Sequence, residues 1–182
     1  RQLMVPIVGL VDTFWVSNKG TPLDIASVGT ADQIFFIFFS VLSFMPVLLT
    51  PQITSMYLQK NYKNEISDTI RMSIYITFIL SAISSMLFFK TEAILTLLLQ
   101  KDNVFFSQTK EYLKIRSLSL PFNLFNNLIF SILRGVFDFN SAIKINLFSQ
   151  IINMILDPIL IHILGIKGAA VSTLISDIFC NI

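Results

Sequence analysis

The sequence predicts an all-α membrane protein, a bundle of five to six transmembrane helices. Of its 182 residues, 54% are hydrophobic and only 13% are charged, which is about half the charged share of a soluble domain. The mean hydropathy is +0.73. Apolar runs such as 145–164 have the roughly 20 residues that a helix needs to cross a bilayer. We therefore expect an integral, multi-pass membrane protein whose partner is the lipid bilayer.

Six apolar segments are predicted spans. They cover approximately residues 3–16, 34–49, 72–89, 112–133, 145–164 and 169–182. The first segment is short and the last one stops inside an apolar run, so we expect a fragment of a longer membrane protein. Lysine and arginine are evenly shared between the two sets of connecting loops, so the positive-inside bias does not decide the orientation.

Breaker residues and polar residues predict the connections. Residues 17–32 are predicted as a loop, because Gly, Thr-Pro and Gly-Thr occur there and punctuate regular structure. Residues 52–71 are predicted as a water-facing loop with a helical end. We expect Pro46 and Pro51 to kink or end the second span and Pro121 to interrupt the fourth, because proline lacks the N–H that a helix interior needs.

The composition argues against several kinds of site. A net charge of +2 is too small to indicate nucleic acid, and the one cysteine cannot form a disulfide framework or a multi-cysteine metal site. Metalloprotease and phosphate-loop motifs are missing. We therefore predict no enzyme activity, no catalytic residue, no bound metal and no cofactor.

An ionisable residue stands inside the fifth predicted span. Asp157 follows Asn153 by four residues, so the two share a helix face, and Pro158 comes directly after. A charged residue at this depth costs roughly 2.5–3.5 kcal/mol on insertion scales and usually faces protein or water. We expect Pro158 to break the helix locally, which frees carbonyl groups that can bind a cation or line a cavity.

Spacing predicts that other polar residues lie at the same depth. Asp12 stands roughly 8 Å from the loop end of the first span and Asp157 roughly 11 Å from the end of the fifth, at 1.5 Å per residue. The two spans run in the same direction, and Tyr112 and Thr173 enter the membrane from that side. Two close carboxylates cannot both ionise cheaply, which suits a proton relay, whereas two ionised carboxylates with amide and hydroxyl oxygens suit Na⁺. Asp12, Asn153, Asp157, Tyr112 and Thr173 are therefore the residues predicted to bind a proton or Na⁺.

Structural interpretations stay open for the same residues. Asn153 can hydrogen-bond between helices as glue, Asp12 can be a residue near a loop, Tyr112 can belong to an interfacial aromatic belt, and Thr173 can be a small packing residue. Two amides in the fourth span, Asn123 and Asn127, share a face and are candidates for cavity lining, as is Pro158. His162 is interpreted as an interfacial residue, and Asp177 as an intramembrane residue near the chain end.

At these residues the chain resembles the multidrug and toxic compound extrusion family, the MATE transporters, and is most similar to the DNA-damage-inducible-type branch. The matching segments are Val11–Val16, Leu23–Gly29, Glu111–Arg116, Leu120–Phe122, Leu133–Asp138, Asn153–Ile161 and Gly168–Thr173. Their order and spacing extend through nearly the whole chain.

The resemblance implies one lobe of a two-lobe, twelve-helix transporter. The chain would form most of the N-terminal lobe, with the C-terminal lobe of the same polypeptide as its partner. The implied function is a secondary active efflux antiporter for xenobiotics, which exchanges H⁺ or Na⁺ for a small organic, often cationic, substrate. The family's coupling residues match Asp12, Tyr112, Asn153, Asp157 and Thr173, which the resemblance places in the outer half of the lobe.

Other functions remain as alternatives. A lipid or oligosaccharide flippase of the same superfamily would not need Asp157, and a plant-type organic-acid transporter would share the same motifs. A structural membrane subunit would use its carboxylates only to join helices. An intramembrane enzyme ranks last, because the sequence lacks the motifs of one.

Overall fold

The computed structural model describes residues 14, 15, 17, 20–59, 63–88, 90–98 and 106–181. Asp12 and most of the predicted first span, 3–16, lie outside the described residues. Within them, eight helices are defined: α1 (Pro22–Leu42), α2 (Met45–Leu58), α3 (Lys63–Phe88), α4 (Thr91–Leu98), α5 (Phe106–Ser117), α6 (Leu120–Gly135), α7 (Phe139–Leu164) and α8 (Ile166–Cys180). The all-α class predicted from the sequence holds for this part of the chain.

The loop predicted over 17–32 is wrong, because α1 begins at Pro22. Thr21 and Asp24 form a capping box, in which each side chain accepts a hydrogen bond from the backbone N–H of the other residue. Pro22 suits the first helical position, where an N–H would have no partner in the helix. The segment that we interpreted as a set of breakers is therefore a helix start, and Gly29 lies within α1.

Two predicted spans are each divided between two helices. The prediction 34–49 crosses the break at Ser43 and Phe44 between α1 and α2, and Pro46 stands at the start of α2. The prediction 112–133 crosses the break at Leu118 and Ser119, and Pro121 lies in the first turn of α6. Proline cannot donate to the carbonyl four residues earlier, so both breaks occur where that bond would form.

Three helices differ in their bounds from the predicted spans 72–89, 145–164 and 169–182. Helix α2 continues to Leu58 and α3 begins at Lys63, so most of the loop predicted over 52–71 is helical. Helix α7 begins at Phe139, because the side chain of Asp138 accepts from the N–H of Ser141 and caps the helix. It ends at Leu164 and is followed by Gly165, whose positive φ of 63° is one that glycine adopts easily.

The helices pack in a few close pairs that place the polar residues. α7 and α8 form an antiparallel hairpin, α5 lies between α1 and α8, and α6 packs against α2 and α3. Buried apolar residues of α1, α4, α5, α7 and α8, with Leu120 of α6, form one core, and Leu49, Ile53 and Leu128 form a second between α2 and α6. Helix α3 presents four small polar residues to the bundle, which allow close helix approach: Ser73, Thr77, Ser81 and Ser84.

The outer surface of the bundle is apolar. Among the described residues, α1, the part of α3 from Asn64 to Ser85, and α7 are long and apolar enough to cross a membrane. Their outward residues include exposed phenylalanine and isoleucine side chains such as Phe36, Phe78 and Ile155. A continuous apolar surface of this kind suits contact with lipid.

Candidate functional site

Asp157 is completely buried in the hairpin of α7 and α8, with 0% of its surface exposed. Its Oδ1 accepts a hydrogen bond from the hydroxyl of Ser172 on α8. Its Oδ2 is also buried and has no hydrogen-bond partner within the described part of the chain. A buried acceptor left unsatisfied costs about 1–3 kcal/mol, and more if it is charged.

Asn153 and Thr173 extend the site by one helical turn. Asn153 is buried on the same face of α7 as Asp157, and its Nδ2 donates to Thr173 Oγ1 over 3.5 Å. Thr173 Oγ1 donates in turn to the carbonyl of Ala169 over 2.8 Å. We call Asn153, Asp157, Ser172 and Thr173 the hairpin site. It brings together three of the predicted coupling residues and adds Ser172, which the sequence analysis did not single out.

The Ser172 hydroxyl has two acceptors within reach. Its Oγ contacts Asp157 Oδ1 and also lies 2.9 Å from the carbonyl of Ala169. A hydroxyl group carries one hydrogen and can donate to only one of them. An ionised Asp157 must receive that hydrogen, whereas a protonated Asp157 can donate to Ser172 and leave the hydroxyl free to donate to Ala169. The two arrangements correspond to the two charge states of Asp157.

Close backbone packing holds the hairpin site together. Gly168 lies against α7, where a Cβ would stand 2.2 Å from the carbonyl carbon of Leu160 and 2.5 Å from the nitrogen of Ile161. Pro158 is half-buried within α7, and the helix continues through it. The predicted local break at Pro158 is therefore wrong, although the proline removes the N–H that would donate to the carbonyl of Met154.

Tyr112 belongs to a second polar cluster. It is 3% exposed, and its hydroxyl donates to Asp32 Oδ1 on α1 over 3.4 Å. One turn further on, Arg116 Nε donates to the same Asp32 oxygen over 3.3 Å, and its Nη1 lies 3.7 Å from Asp177 Oδ2 on α8. Asn123 Nδ2 donates to Asp177 Oδ2 over 2.6 Å. We call these five residues the Arg116 cluster.

The sequence analysis did not predict the Arg116 cluster. Asp32 was predicted to lie in a loop and was therefore not expected to contact Arg116. The capping box at Thr21 and Asp24 is the sequence signal that indicates a helix containing Asp32. Asn123, a predicted cavity residue, is part of this cluster. Asn127 is buried and lines a small cavity between α1, α3 and α6 with Ser43, Thr77 and Leu80.

A cleft of about 290 Å³ opens at the turn between α7 and α8. Ile161, one turn beyond Asp157, lines it, and so do Gly165 and Gln108. Lys167 and Glu111 form an ion pair of 2.7 Å at its edge. The hairpin site is therefore separated from the cleft by about one turn of α7.

The model of the MatE family matches residues 1–159 of this chain. This chain belongs to the MatE family. As a MatE chain, it is an integral, multi-pass membrane protein.

Two named relatives resemble different lengths of this MatE chain. The probable multidrug resistance protein YpnP of Bacillus subtilis (strain 168) is 27% identical over 176 residues, which are 92% of this chain and 38% of that protein. Protein DETOXIFICATION 43 of Arabidopsis thaliana is 36% identical over 78 residues, which are 42% of this chain and 15% of that protein.

Solved structures share the fold. A crystal structure of MATE in the straight conformation is 26% identical with a TM-score of 0.85, over 96% of this chain and 39% of that one. The outward-facing conformation of a multidrug resistance MATE family transporter of the MOP superfamily is 24% identical with a TM-score of 0.87, over 99% of this chain and 40% of that one. The MatE chain thus spans about two-fifths of the length of these structures.

Proposed function

We propose that this MatE chain forms the N-terminal lobe of a secondary active transporter. The transporter is an efflux antiporter, in which an inward gradient of H⁺ or Na⁺ drives the export of a small organic, often cationic, substrate. The lobe contributes six spans, and the C-terminal lobe of the same polypeptide supplies the rest. The similarity of its motifs to the DNA-damage-inducible-type branch belongs to this proposal.

The observation that carries the proposal is the state of Asp157. It is a fully buried carboxylate on a helix long enough to span a membrane, and its Oδ2 has no hydrogen-bond partner among the described residues. A purely structural carboxylate that joins helices is expected to have both oxygens satisfied. A carboxylate that alternately binds and releases a cation needs an oxygen that is free when the site is empty.

The other hairpin-site residues have separate roles in this proposal. Ser172 orients Oδ1 of Asp157, while Asn153 and Thr173 provide amide and hydroxyl oxygens, which are suitable ligands for Na⁺ and can accept a hydrogen bond from a protonated Asp157. Asp12 and Tyr112 complete the coupling site, as the motifs imply. The cation reaches Asp157 from the cleft beside Ile161, and its binding changes the hydrogen bond of Ser172.

The test uses the complete protein reconstituted in vesicles. Uptake of a fluorescent organic cation is measured under a pH gradient, under a Na⁺ gradient and without a gradient, for the wild type and for Asp157→Asn. Asp68→Asn is the matched control, because Asp68 is an exposed carboxylate on α3 that forms only an exposed ion pair with Arg71.

We expect wild type and Asp68→Asn to transport under at least one gradient, and Asp157→Asn to lose the gradient-driven part. The gradient that drives transport identifies the coupling ion. Unchanged gradient-driven transport in Asp157→Asn would contradict the coupling role. A wild-type protein that moves lipid or oligosaccharide, and no organic cation under either gradient, would favour a flippase instead.

A further inference from the structure

The Arg116 cluster contains two carboxylates and one guanidinium group. Asp32 on α1 and Asp177 on α8 both contact Arg116 on α5. The remaining members are neutral: the Tyr112 phenol and the Asn123 amide. With both carboxylates ionised, the cluster would carry one uncompensated negative charge among helices that pack as a membrane lobe.

The helices packed against Asp177 offer no second cation among the described residues that face it. Arg116 comes from α5, and α6 presents the amides of Asn123 and Asn126. On α7, Lys144 is exposed, and Ser149, which is neutral, donates to the neighbouring carbonyl of Ser176. The excess charge must therefore be removed by a proton or an external cation, because an unpaired buried charge is expensive.

Geometry decides which carboxylate carries the excess. Asp32 is closer to Arg116, at 3.3 Å against 3.7 Å for Asp177, and it also accepts from Tyr112. The side chain of Asp32 is 45% exposed and that of Asp177 is 14% exposed, so Asp177 is the more deeply buried carboxylate. Asp32 and Arg116 thus form the ion pair, and Asp177 is the carboxylate with the weaker compensation.

The hydrogen-bonding partners of the Asp177 carboxyl group are neutral. Asn123 Nδ2 donates to Oδ2 over 2.6 Å, and the Ser119 side chain also hydrogen-bonds to the carboxyl group. Neither partner adds positive charge, so the charge of the cluster stays uncompensated. Asn126 donates to the backbone carbonyl of Asp177 over 3.4 Å, and its buried Oδ1 has no hydrogen-bond partner within the described ranges. This unsatisfied acceptor, beside an excess of negative charge, indicates a missing hydrogen-bond donor in this region.

We propose that Asp177 binds a proton, so that the Arg116 cluster is a second proton-binding centre of the lobe, separate from the hairpin site. A proton from water adds to a carboxylate oxygen of Asp177 to give a carboxylic acid, and the charge of the cluster changes from −1 to 0. Arg116 stays paired with Asp32 in both states. The proposal does not depend on Asp157 being the coupling residue.

Protonation of Asp177 has a mechanical consequence. Asp177 lies one turn beyond Thr173 on α8, and Arg116 lies one turn beyond Tyr112 on α5. The ion pair between Arg116 and Asp177 holds α8 against α5, and a proton on Asp177 removes its Coulombic part. The second centre therefore regulates how firmly α8, which carries half of the hairpin site, is held.

The test is infrared difference spectroscopy of the complete protein between alkaline and acidic buffer. The carbonyl stretching band of a protonated carboxylic acid is measured for wild type, Asp177→Asn, Asp157→Asn and Asp32→Asn. We expect one carboxylic acid component to disappear in Asp177→Asn and to remain in both other variants. Asp177→Glu keeps a titrating group, so the same component should return at a shifted frequency.

Each result has a definite meaning. A full set of bands in Asp177→Asn, or loss of the component in Asp32→Asn instead, would overturn the proposal. If Asp177→Asn does not fold, Asp177→Glu decides, because a component that keeps its wild-type frequency does not come from residue 177. Unchanged gradient-driven transport in Asp157→Asn, which would contradict the coupling role of Asp157, has no bearing on these bands, so the two proposals can fail separately.

Discussion

Replacing Gly168 with alanine tests whether close packing of α7 and α8 holds the hairpin site. The new Cβ would stand 2.2 Å from both the carbonyl carbon and the oxygen of Leu160, whereas non-bonded carbon atoms prefer about 3.5–4.0 Å. The obstructing atoms are backbone, which no rotamer change can move aside. The helices must therefore separate by more than about 1 Å at this position to restore normal contacts.

The expected effect is a difference between two opposing terms. Overpacking of a close contact costs about 1–3 kcal/mol, and backbone obstruction places Gly168→Ala at the upper end. Alanine in a helix gains about 1 kcal/mol over glycine, so the net loss is about 2 kcal/mol. Gly29→Ala is the matched control, because Gly29 lies within α1 and a Cβ there meets no atom within 4 Å. It should be neutral or stabilised by up to about 1 kcal/mol.

Thermal unfolding of the purified complete protein measures both variants, with and without Na⁺ and at two pH values. Gly168→Ala should unfold at a lower temperature than wild type, and Gly29→Ala at the same or a higher temperature. Ser172 lies one turn beyond Gly168 on the same face of α8, so the separation also moves Ser172 away from Asp157. Any stabilisation by the coupling cation should shrink in Gly168→Ala alone. Equal stability of the two glycine variants would refute the close packing of the hairpin.

Two further predictions concern hydrogen bonds of α7: the one that Asp157 accepts from Ser172, and those that Asp138 accepts at the start of the helix. Ser172→Ala removes the donor to Asp157 Oδ1, and a hydrogen bond to a charged group contributes about 1.5–3 kcal/mol. The cation concentration for half-maximal transport should therefore rise about tenfold or more in Ser172→Ala and recover in Ser172→Thr. An unchanged concentration in Ser172→Ala would exclude Ser172 from the site. Asp138 accepts hydrogen bonds from the hydroxyl and the N–H of Ser141, which lower its pKa below the usual value. Its charge therefore stabilises the fold above the unfolded pKa of about 3.9, and this contribution is lost as the pH falls through the folded pKa. The unfolding temperatures of wild type and Asp138→Asn should accordingly differ at neutral pH and converge in acid, and a constant difference would contradict the assignment.

Hydropathy predicted where apolar helices lie but not where they begin. The prediction 145–164 ends where α7 ends, because Gly165 ends the apolar run and its backbone conformation also ends the helix. It starts six residues late, because Asn140, Ser141 and Lys144 lower the hydropathy of a first turn that Asp138 caps. Window hydropathy measures suitability for lipid, whereas capping and backbone hydrogen bonds decide where a helix starts.

The hairpin site and the Arg116 cluster differ in how far the sequence could predict them. Asn153 and Asp157 are four residues apart on one helix, and Thr173 is on the next, so spacing alone placed them at one depth. The Arg116 cluster depends on contacts between α1, α5, α6 and α8, which are distant in sequence. Because the helix start at Pro22 was not predicted, Asp32 had no predicted depth in the membrane, and its ion pair with Arg116 could not be predicted.

The two sites compensate negative charge in different ways, and this difference bears on their roles. Arg116 is a permanent internal cation for Asp32 and Asp177, so the cluster changes between charges of −1 and 0 by binding one proton. Asp157 faces hydroxyl and amide groups, and the described residues provide it with no cationic partner. In the proposed mechanism a mobile proton or metal cation neutralises Asp157, so the charge of Asp157 depends on the ions that reach the lobe. A ligand shifts a conformational equilibrium only through a difference in binding between the two states. The hairpin site can supply that difference through Ser172, whose single hydrogen changes acceptor with the charge of Asp157. The Arg116 cluster adjusts the same helix from one turn away, by strengthening or weakening its hold on α5.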